Sequence, residues 1–458
     1  MNILENTNDQ DFRDRPDNID ASGQRKWINA KQPKGKWYRR RNIVGYILLI
    51  FLVIAPFLSI KGHPFMLLDI FHRKFYLFGM MVFAEDTYIM ALVMAVIVVS
   101  IVLFTVVFGR VWCGWACPQT LFLELVYRKI EFLFEGNGRR GKKKVATETS
   151  RVRRLTKHTL YILVSIFFTN IILMWFTGPE QLLKIITEPV KEHMTGFLLM
   201  IGLSGFYYWI YSYFREQVCT LFCPYGRMQG VLLDNNSISV IYDYKRGEPR
   251  NPKIAEGGDC INCKQCIAVC PTGIDIRNGS QLECIHCASC IDECNLVMKK
   301  IGKPYNLIRY DSVQGIENGK RSLLNARSIA YTLVLVLLMV VLAFTVGKRA
   351  TIDVTLWRAQ GTLYQELDSE TISNIYQIMF LNKGNEPLEL TLRLLDHPSG
   401  EITLADDKVV LPPNGKLKEA LIIKLKRGTL TGKETKCSIG LFSGDQLKET
   451  VTTNFLGP

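Results

Sequence analysis

Residues 260–294 read CINCKQCIAVCPTGIDIRNGSQLECIHCASCIDEC, and they determine how the rest of this 458-residue chain is interpreted. The stretch holds two runs of cysteines with the pattern C-x2-C-x2-C-x3-C, from Cys260 to Cys270 and from Cys284 to Cys294. Gaps of two residues let three thiolates of a run reach one [4Fe–4S] cube, while the fourth thiolate ligates the other cube. Neither cube closes without the other run, so the stretch predicts one folding unit with two clusters.

This crossed pattern predicts the ligands of each cluster. The first cluster is expected on Cys260, Cys263, Cys266 and Cys294, and the second on Cys284, Cys287, Cys290 and Cys270. Zinc is the alternative, but zinc sites use pairs of cysteines rather than runs of four. His286 is expected at the surface, where it tunes the second cluster without ligating it. Asn295 stands where Pro271 follows the first run, which weakens the turn signal but removes no ligand.

Apolar runs elsewhere predict membrane helices. Hydrophobic residues make up 48% of the chain although 21% of it is charged, a mixture typical of membrane spans joined to polar domains. Five runs approach the roughly 20 residues that a spanning helix needs. They are Ile43–Ile60, Tyr88–Phe108, Thr159–Phe176, Thr195–Phe214 and Ser328–Val346. The first segment is polar and has no apolar core, so no cleavable secretory signal is expected.

Lysine and arginine predict the orientation of these spans, because they concentrate in cytoplasmic loops. Segment 1–42 carries 10 of them, loop 109–158 carries 12 and segment 215–327 carries 15, whereas loops 61–87 and 177–194 carry 3 and 2. The basic segments are therefore expected in the cytoplasm. The net charge of +14 is interpreted as this topology signal and not as nucleic-acid binding. The densest basic run comprises Arg139, Arg140, Lys142, Lys143 and Lys144.

Two further cysteine pairs follow the second and fourth spans. Cys113 and Cys117, and then Cys219 and Cys223, both fit the pattern F-x4-C-x3-C-P. The repeated pattern predicts two similar helical hairpins that bring four thiols, the membrane-edge thiols, to one site. Soft thiolates suit Cu(I), zinc or another iron–sulfur cluster, and these four cysteines are the candidate catalytic residues. The alternative is four buried cysteines used as small apolar side chains.

The C-terminal tail changes character. Seven short alternating runs separated by turn residues predict a β-sandwich of immunoglobulin type. The runs are Ile352–Leu356, Ile375–Leu381, Leu388–Leu394, Glu401–Leu404, Lys408–Leu411, Leu421–Leu425 and Cys437–Phe442. Cys437 is the only cysteine in the tail, so no disulfide is expected to join the sheets. Docking is a more natural role for this domain than chemistry.

The predicted organisation is a multi-domain membrane protein: an α-helical membrane domain of five spans, a ferredoxin-like insert for two [4Fe–4S] clusters and a C-terminal immunoglobulin-like β-sandwich. Its parts are a cytoplasmic polar segment 1–42, a four-span domain 43–214 with the basic cytoplasmic loop 109–158, the cytoplasmic insert 215–327, a fifth transmembrane helix 328–346 and a periplasmic domain 347–458. No phosphate-binding glycine loop or dinucleotide fingerprint is found. Electrons are therefore expected from a partner or a quinol.

The whole pattern resembles the CcoG/FixG/RdxA family of cytochrome c oxidase accessory proteins. The most specific parts are Val111–Gln119, which reads VWCGWACPQ, Cys219–Arg227, and the His63-Pro64-Phe65 stretch. The resemblance implies a multi-pass protein of the bacterial inner membrane that acts with assembly factors or subunits of a cbb3-type oxidase. It also implies reduction of Cu(II) to Cu(I) for insertion.

The resulting hypothesis is a one-electron relay with cupric reductase activity. A cytoplasmic donor reduces the two clusters, and copper is reduced at Cys113, Cys117, Cys219 and Cys223. One alternative is a quinol-linked electron-transfer subunit. The other is a non-enzymatic scaffold that holds oxidase subunits through its outer sandwich.

Overall fold

The computed structural model describes residues 24–458 except 26, 61, 70–73, 78–79, 84–85, 137–150, 252–256, 320–324, 349–350, 360, 362, 369, 385 and 405–408. The chain forms two compact units, Met1–Leu342 and Ala343–Pro458. The basic run Arg139–Lys144 lies outside the described residues, as does Lys408 of a predicted strand.

Helices dominate the first unit. In chain order they are α1 (Lys36–Ile54), α2 (Thr87–Phe108), α3 (Val111–Trp115), α4 (Pro118–Leu121), α5 (Arg128–Glu135), α6 (Arg151–Thr177), α7 (Pro179–Thr187), α8 (Met194–Trp209), α9 (Pro224–Leu232), α10 (Tyr244–Gly247), α11 (Gln265–Ala268), α12 (Ser289–Ile301), α13 (Val313–Asn318) and α14 (Ala326–Gly347). Wider π-helical turns occupy Phe122–Tyr127, Ile210–Phe214 and Val218–Phe222.

Within the described residues, five helical stretches are long and apolar enough to cross a membrane. They are Lys36–Phe57, Tyr88–Phe108, Arg151–Thr177, Met194–Phe214 and Ala326–Gly347. The first helix begins seven residues before the predicted Ile43, so Arg39, Arg40 and Arg41 lie inside it. Arginine and lysine are good helix formers whose long side chains carry their charge away from an apolar stem, so a basic run need not end a helix.

The predicted loop 109–158 proves to be largely helical where it is described. It contains α3, α4, a π-helical turn and α5, and its last residues already belong to α6. The connection between the second and third spans is therefore built mainly of short helices in its described part. Short helices escaped detection because they are held by packing and buried ion pairs, and isolated helices of this length are not stable.

Small sheets complete the first unit. Strands β1 (Ser59–Ile60) and β2 (His63–Pro64) pair, and β3 (Met66–Asp69), β4 (Lys74–Leu77) and β5 (Met80–Phe83) form an antiparallel sheet between the first two spans. Strands β6 (Ser239–Tyr242) and β7 (Ile308–Asp311) pair antiparallel, with Ser239 opposite Asp311. This last pair brackets the cysteine runs and contributes to a buried core that includes Ile274, Ile291 and Met298.

The second unit is a β-sandwich, in agreement with the sequence prediction. Its strands are β8 (Ile352–Arg358), β9 (Gln365–Glu366), β10 (Thr371–Asn382), β11 (Leu388–Leu394), β12 (Glu401–Thr403), β13 (Val409–Leu411), β14 (Lys416–Lys426), β15 (Glu434–Ser443) and β16 (Gln446–Leu456). One sheet has the order β12-β14-β10-β8 with β9 also on β10, and the other has the order β13-β11-β15-β16. Fully buried Phe380, Leu421, Ile439 and Phe455 belong to the core between them.

Candidate iron–sulfur and thiol site

Two cavities in the first unit are lined by the cysteines of residues 260–294. The first cavity is lined by Cys260, Cys263, Cys266 and Cys294, together with Tyr242, Arg277, Met298 and other side chains. The second cavity is lined by Cys270, Cys284, Cys287 and Cys290, and Cys266 lines both cavities. The last cysteine of each run thus lines the cavity of the other run. All thirteen cysteines of the chain are described, and all are free thiols.

The backbone of the two runs has the same unusual local geometry. Asn262 and Lys264 adopt positive φ angles of 52° and 55°, and the equivalent His286 and Ala288 adopt 52° and 63°. Residues other than glycine rarely take this left-handed conformation, which costs about 1–3 kcal/mol at each position. The repeated distortion turns the two-residue gaps so that consecutive thiols face one cavity. Strain of this kind is typical of ligand sites.

The chemistry of these thiols fits a metal cluster. Burial raises the pKa of Cys266 and of Cys294 to about 12, and neighbouring cysteines add to both shifts. Burial also raises the pKa of Cys290 far above its ordinary value. A thiolate at these positions therefore needs a nearby positive charge, which iron supplies when a cluster binds.

The two runs end differently, for a reason that the structure provides. Pro271 follows short α11, whereas Cys294 and Asn295 lie inside the longer α12. A proline inside α12 would remove a helical hydrogen bond and clash with the preceding turn. Asn295 instead accepts a hydrogen bond on Oδ1 from the backbone N–H of Asn306, at 2.8 Å.

His286 is buried, with 3% of its surface exposed, so the prediction of a surface side chain was wrong. Its Nδ1 accepts a hydrogen bond from the backbone N–H of Arg110 at 3.0 Å. Burial first, and then the Arg110 charge, lowers the pKa of His286 to about 3. The neutral imidazole therefore fastens the second cysteine run to the segment that follows α2.

The two C-x3-C-P segments share a local arrangement. Cys113 lies in α3 and Cys219 in a π-helical turn, while Cys117 and Cys223 each precede a helix whose first residue is proline. Proline is favoured at the first helical position because its fixed φ suits the helix and no N–H is needed there. Each proline therefore starts a new helix directly after the second thiol of its pair.

The four membrane-edge thiols lie close enough to one another to interact electrostatically. Burial first, and then the proximity of Cys117, Cys113 and Cys223, raises the pKa of Cys219 to about 12. Burial and Cys117 raise the pKa of Cys113 to about 11. The buried amide of Gln229 lies 3.6 Å from the Cys113 sulfur. All four thiols are half-buried.

Ion pairs connect the segment after the first thiol pair to the segment before the second. Arg215 forms a bidentate pair with Glu131 at 2.7 and 3.0 Å, and its carbonyl accepts a hydrogen bond from Gln119. Arg128 pairs with Glu124 and contacts Glu216. These charges are largely buried, and breaking such a pair is costly because the remaining charge stays in a low dielectric.

The first thiol pair packs directly on the second cysteine run. A β-carbon placed on Gly114 would lie 2.4 Å from the Ile285 carbonyl oxygen and 3.0 Å from the Cys287 amide nitrogen. Trp115 donates its indole N–H to the Tyr310 hydroxyl at 2.9 Å, and that hydroxyl donates to the His286 carbonyl at 2.5 Å. The segment that carries Cys113 is thus in direct contact with the second cysteine run.

The first span is attached to the same region. Asp292 of α12 accepts hydrogen bonds from the backbone N–H groups of Trp37 and Tyr38, at 3.1 and 2.7 Å. The Trp37 ring contacts Trp115 and Tyr310 edge-on, with centroids 6.1 and 5.1 Å apart. A carboxylate at this position satisfies free N–H groups of the helix and complements its dipole.

Spacing of the sulfurs limits what they can hold. Among the His, Cys, Asp and Glu residues of the described part of the chain, a single group of three has donor atoms that all lie within 4.8 Å of one another. It consists of Glu188, Glu192 and His193. No three cysteine sulfurs meet this criterion. A tetrahedral Zn²⁺ ion with bonds of about 2.3 Å would hold its sulfurs closer than that. This spacing agrees with the expected clusters, in which the thiolates are spread over several iron atoms.

Sequence reasoning identified every cysteine of the site but missed the residues that join its parts. These are Gly114, Trp115, Gln229, Asp292 and Tyr310. Gly114 and Trp115 lie inside the motif VWCGWACPQ, yet their partners are about 170 to 195 residues away along the chain. No local pattern predicts such contacts.

Comparison with known families agrees with this chemistry. Residues 214–313 match the family described as "4Fe-4S dicluster domain", residues 90–137 match "4Fe-4S binding domain", and residues 342–458 match "IG-like fold at C-terminal of FixG". Fold and matches together define an iron–sulfur electron-transfer protein with membrane-type helices.

The chain belongs to the FixG/RdxA family. It is 30% identical to protein RdxB of Cereibacter sphaeroides over 454 residues, which covers 92% of each chain. It is 31% identical to protein RdxA of the same organism, over 70% of this chain and 71% of the relative. It is 32% identical to nitrogen fixation protein FixG of Rhizobium meliloti, over 62% and 57%.

Proposed function

We propose that this protein reduces Cu(II) to Cu(I) for the assembly of a cbb3-type cytochrome c oxidase in a bacterial inner membrane. In this proposal the N-terminus and both cysteine cavities face the cytoplasm, and the sandwich faces the periplasm. Membership of the FixG/RdxA family supports the oxidase context. Copper is the substrate, and its reduction consumes one electron per ion from an external donor.

Two sets of four cysteines would hold the clusters. They are Cys260, Cys263, Cys266 and Cys294 in the first cavity and Cys270, Cys284, Cys287 and Cys290 in the second. When bound, such clusters supply single electrons. Around them, Ile274, Ile291 and Met298 form an apolar wall that keeps water away, and the left-handed residues keep the thiols aimed inward.

Packing of Gly114 on Ile285 and Cys287 is the observation that carries the proposal. It places α3, which carries Cys113, directly against the backbone of the second cysteine run. Thiolate sulfur is a soft ligand that stabilises Cu(I) relative to Cu(II), so binding at these cysteines favours reduction. Each C-x3-C pair supplies two such thiolates.

The test uses protein purified anaerobically and reduced with dithionite, with the excess removed. Cu(II) is then added with a Cu(I)-selective chelator, and cluster colour and Cu(I) are followed together. We expect cluster oxidation to match Cu(I) formation one electron for one ion. Reduced clusters that ignore Cu(II) would overturn the proposal, and reduction of the same clusters by an added quinol would then favour the quinol-linked alternative.

A third cluster on the membrane-edge thiols is the second candidate. The match of residues 90–137 to a 4Fe-4S binding family includes Cys113 and Cys117 and favours it. Iron analysis separates the two, because two [4Fe–4S] clusters contain about eight iron atoms per chain and three contain about twelve. Sulfide should follow iron in the same ratio.

A further inference from the structure

The two cysteine cavities have unequal surroundings. The second cavity is covered by the segment around Gly114, and its four cysteines are buried or half-buried. Cys263 of the first cavity is the one exposed cysteine of the chain, all thirteen being described. One cavity therefore faces the membrane-edge thiols, and the other reaches the surface at Cys263. This asymmetry suggests a direction for electrons.

Basic side chains surround the exposed edge. Lys264 follows Cys263, lines the first cavity and is itself exposed. Arg277 lines the same cavity and donates to the side-chain oxygen of Asn262 at 2.6 Å. Arg250 donates to the Arg277 carbonyl, and Arg246 lies close enough to Cys294 to act on its charge.

Carboxylates balance only part of this charge. Asp275 pairs with Arg277, Glu248 with Arg250, and Asp259 is shared between Arg246 and Lys303. These three carboxylates thus pair with four cationic side chains, and among the described residues no ion pair is formed by exposed Lys264. Exposed positive charge beside a redox group attracts a negatively charged partner and accelerates its encounter.

We propose that the edge formed by Cys263 and Lys264 is where electrons are delivered to the protein, by a small acidic one-electron carrier protein. Each encounter oxidises the carrier by one electron and reduces the protein by one. The second cavity, which the segment around Gly114 covers, then lies on the exit side. This inference rests on the proposed function, because it requires a cluster in the first cavity.

The test compares two reductants of opposite charge on the whole purified protein. One is an acidic flavodoxin in its hydroquinone form, and the other is the methyl viologen radical cation. Stopped-flow bleaching of the cluster absorbance gives the rates at low and high salt. Lys264→Glu is the test variant. Lys184→Glu is its control. It makes the same change of charge at an exposed residue of α7, the helix that follows the C-terminal end of the third span.

We expect Lys264→Glu to slow reduction by flavodoxin about five- to tenfold at low salt and to accelerate reduction by viologen. High salt should remove most of both effects, and Lys184→Glu should change neither rate. Structural damage would slow both reductants together, so opposite changes are specific to charge at this edge. Equal rates for wild type and Lys264→Glu, or no reduction of the wild type by flavodoxin while viologen succeeds, would overturn the inference.

The readout separates this inference from the proposed function. Purified protein without cluster absorbance would refute the clusters and with them the proposed function. If the clusters are present but are reduced at the same rate in wild type and in Lys264→Glu, only the proposed site of electron delivery is refuted. Copper does not enter the measurement.

Discussion

Gly114 and Cys287 touch through their backbones, so closely that a β-carbon at residue 114 would stand 3.0 Å from the Cys287 amide nitrogen. Real side chains rarely come so near to backbone atoms. The contact joins α3, which carries Cys113, to the loop that carries Cys284 and Cys287 of the second cavity. It therefore explains why a glycine separates the first thiol of the pair from Trp115.

Enlarging Gly114 should uncouple the two sites. Gly114→Ala must push α3 away from the Ile285 carbonyl, which lies only 2.4 Å from the added carbon. We expect Cu(I) formation to slow at least tenfold while the cluster absorbance remains. Gly202→Ala in α8 is the control, because nothing lies within 4 Å of its added carbon. Equal rates in the two variants would contradict a role for this contact.

Removing one membrane-edge thiol should abolish copper reduction. In Cys117→Ser or Cys223→Ser, we expect no chelated Cu(I) and an unchanged iron content of about eight atoms per chain. Cys437→Ala, which removes a thiol from the sandwich core, should leave both quantities at the wild-type level. Loss of about four iron atoms in either serine variant would instead show that these thiols hold a third cluster.

Breaking the Glu131–Arg215 pair should destabilise the first unit. Glu131→Gln leaves the Arg215 guanidinium, 8% exposed, without its bidentate partner. Loss of one member of a buried pair costs about 3–5 kcal/mol, so the unfolding temperature in detergent should fall clearly. Glu401→Gln breaks the exposed ion pair with Lys424 and should change the unfolding temperature little, since such pairs contribute about 0–1 kcal/mol. Similar shifts for both variants would argue against the buried network.

Deleting residues 350–458 should separate catalysis from docking. The sandwich has its own core, built around side chains such as Phe380 and Phe455, and Cys437 has no disulfide partner. We expect the truncated protein to retain Cu(II) reduction in vitro, and the separate sandwich to unfold at the same temperature with and without a reductant. A truncated protein with intact clusters but no copper reduction would favour the scaffold alternative.

Some elements of the fold could be predicted better than others. Strand β11, Leu388–Leu394, was predicted to the residue because apolar and polar side chains alternate along it. Strand β16 was missed, since its sequence, QLKETVTTNFL, has few apolar residues and only Phe455 is fully buried. It forms because β15 offers a long hydrogen-bonding edge. Pairing of this kind leaves little trace in local hydrophobicity.

Local spacing alone was enough to predict the cysteine runs, the membrane helices and the sandwich, because each depends on a short repeat along the chain. Contacts between segments that are distant along the chain are visible only in the tertiary structure. Among them are the burial of His286 against Arg110, the hydrogen bonds of Asp292 to the first turn of α1 and the packing of Gly114 on Cys287. Such contacts depend on packing between segments more than 170 residues apart, where the identity of one residue does not constrain the other. The sequence alone thus identifies the ligand residues, whereas the tertiary structure determines which segments pack between and around them.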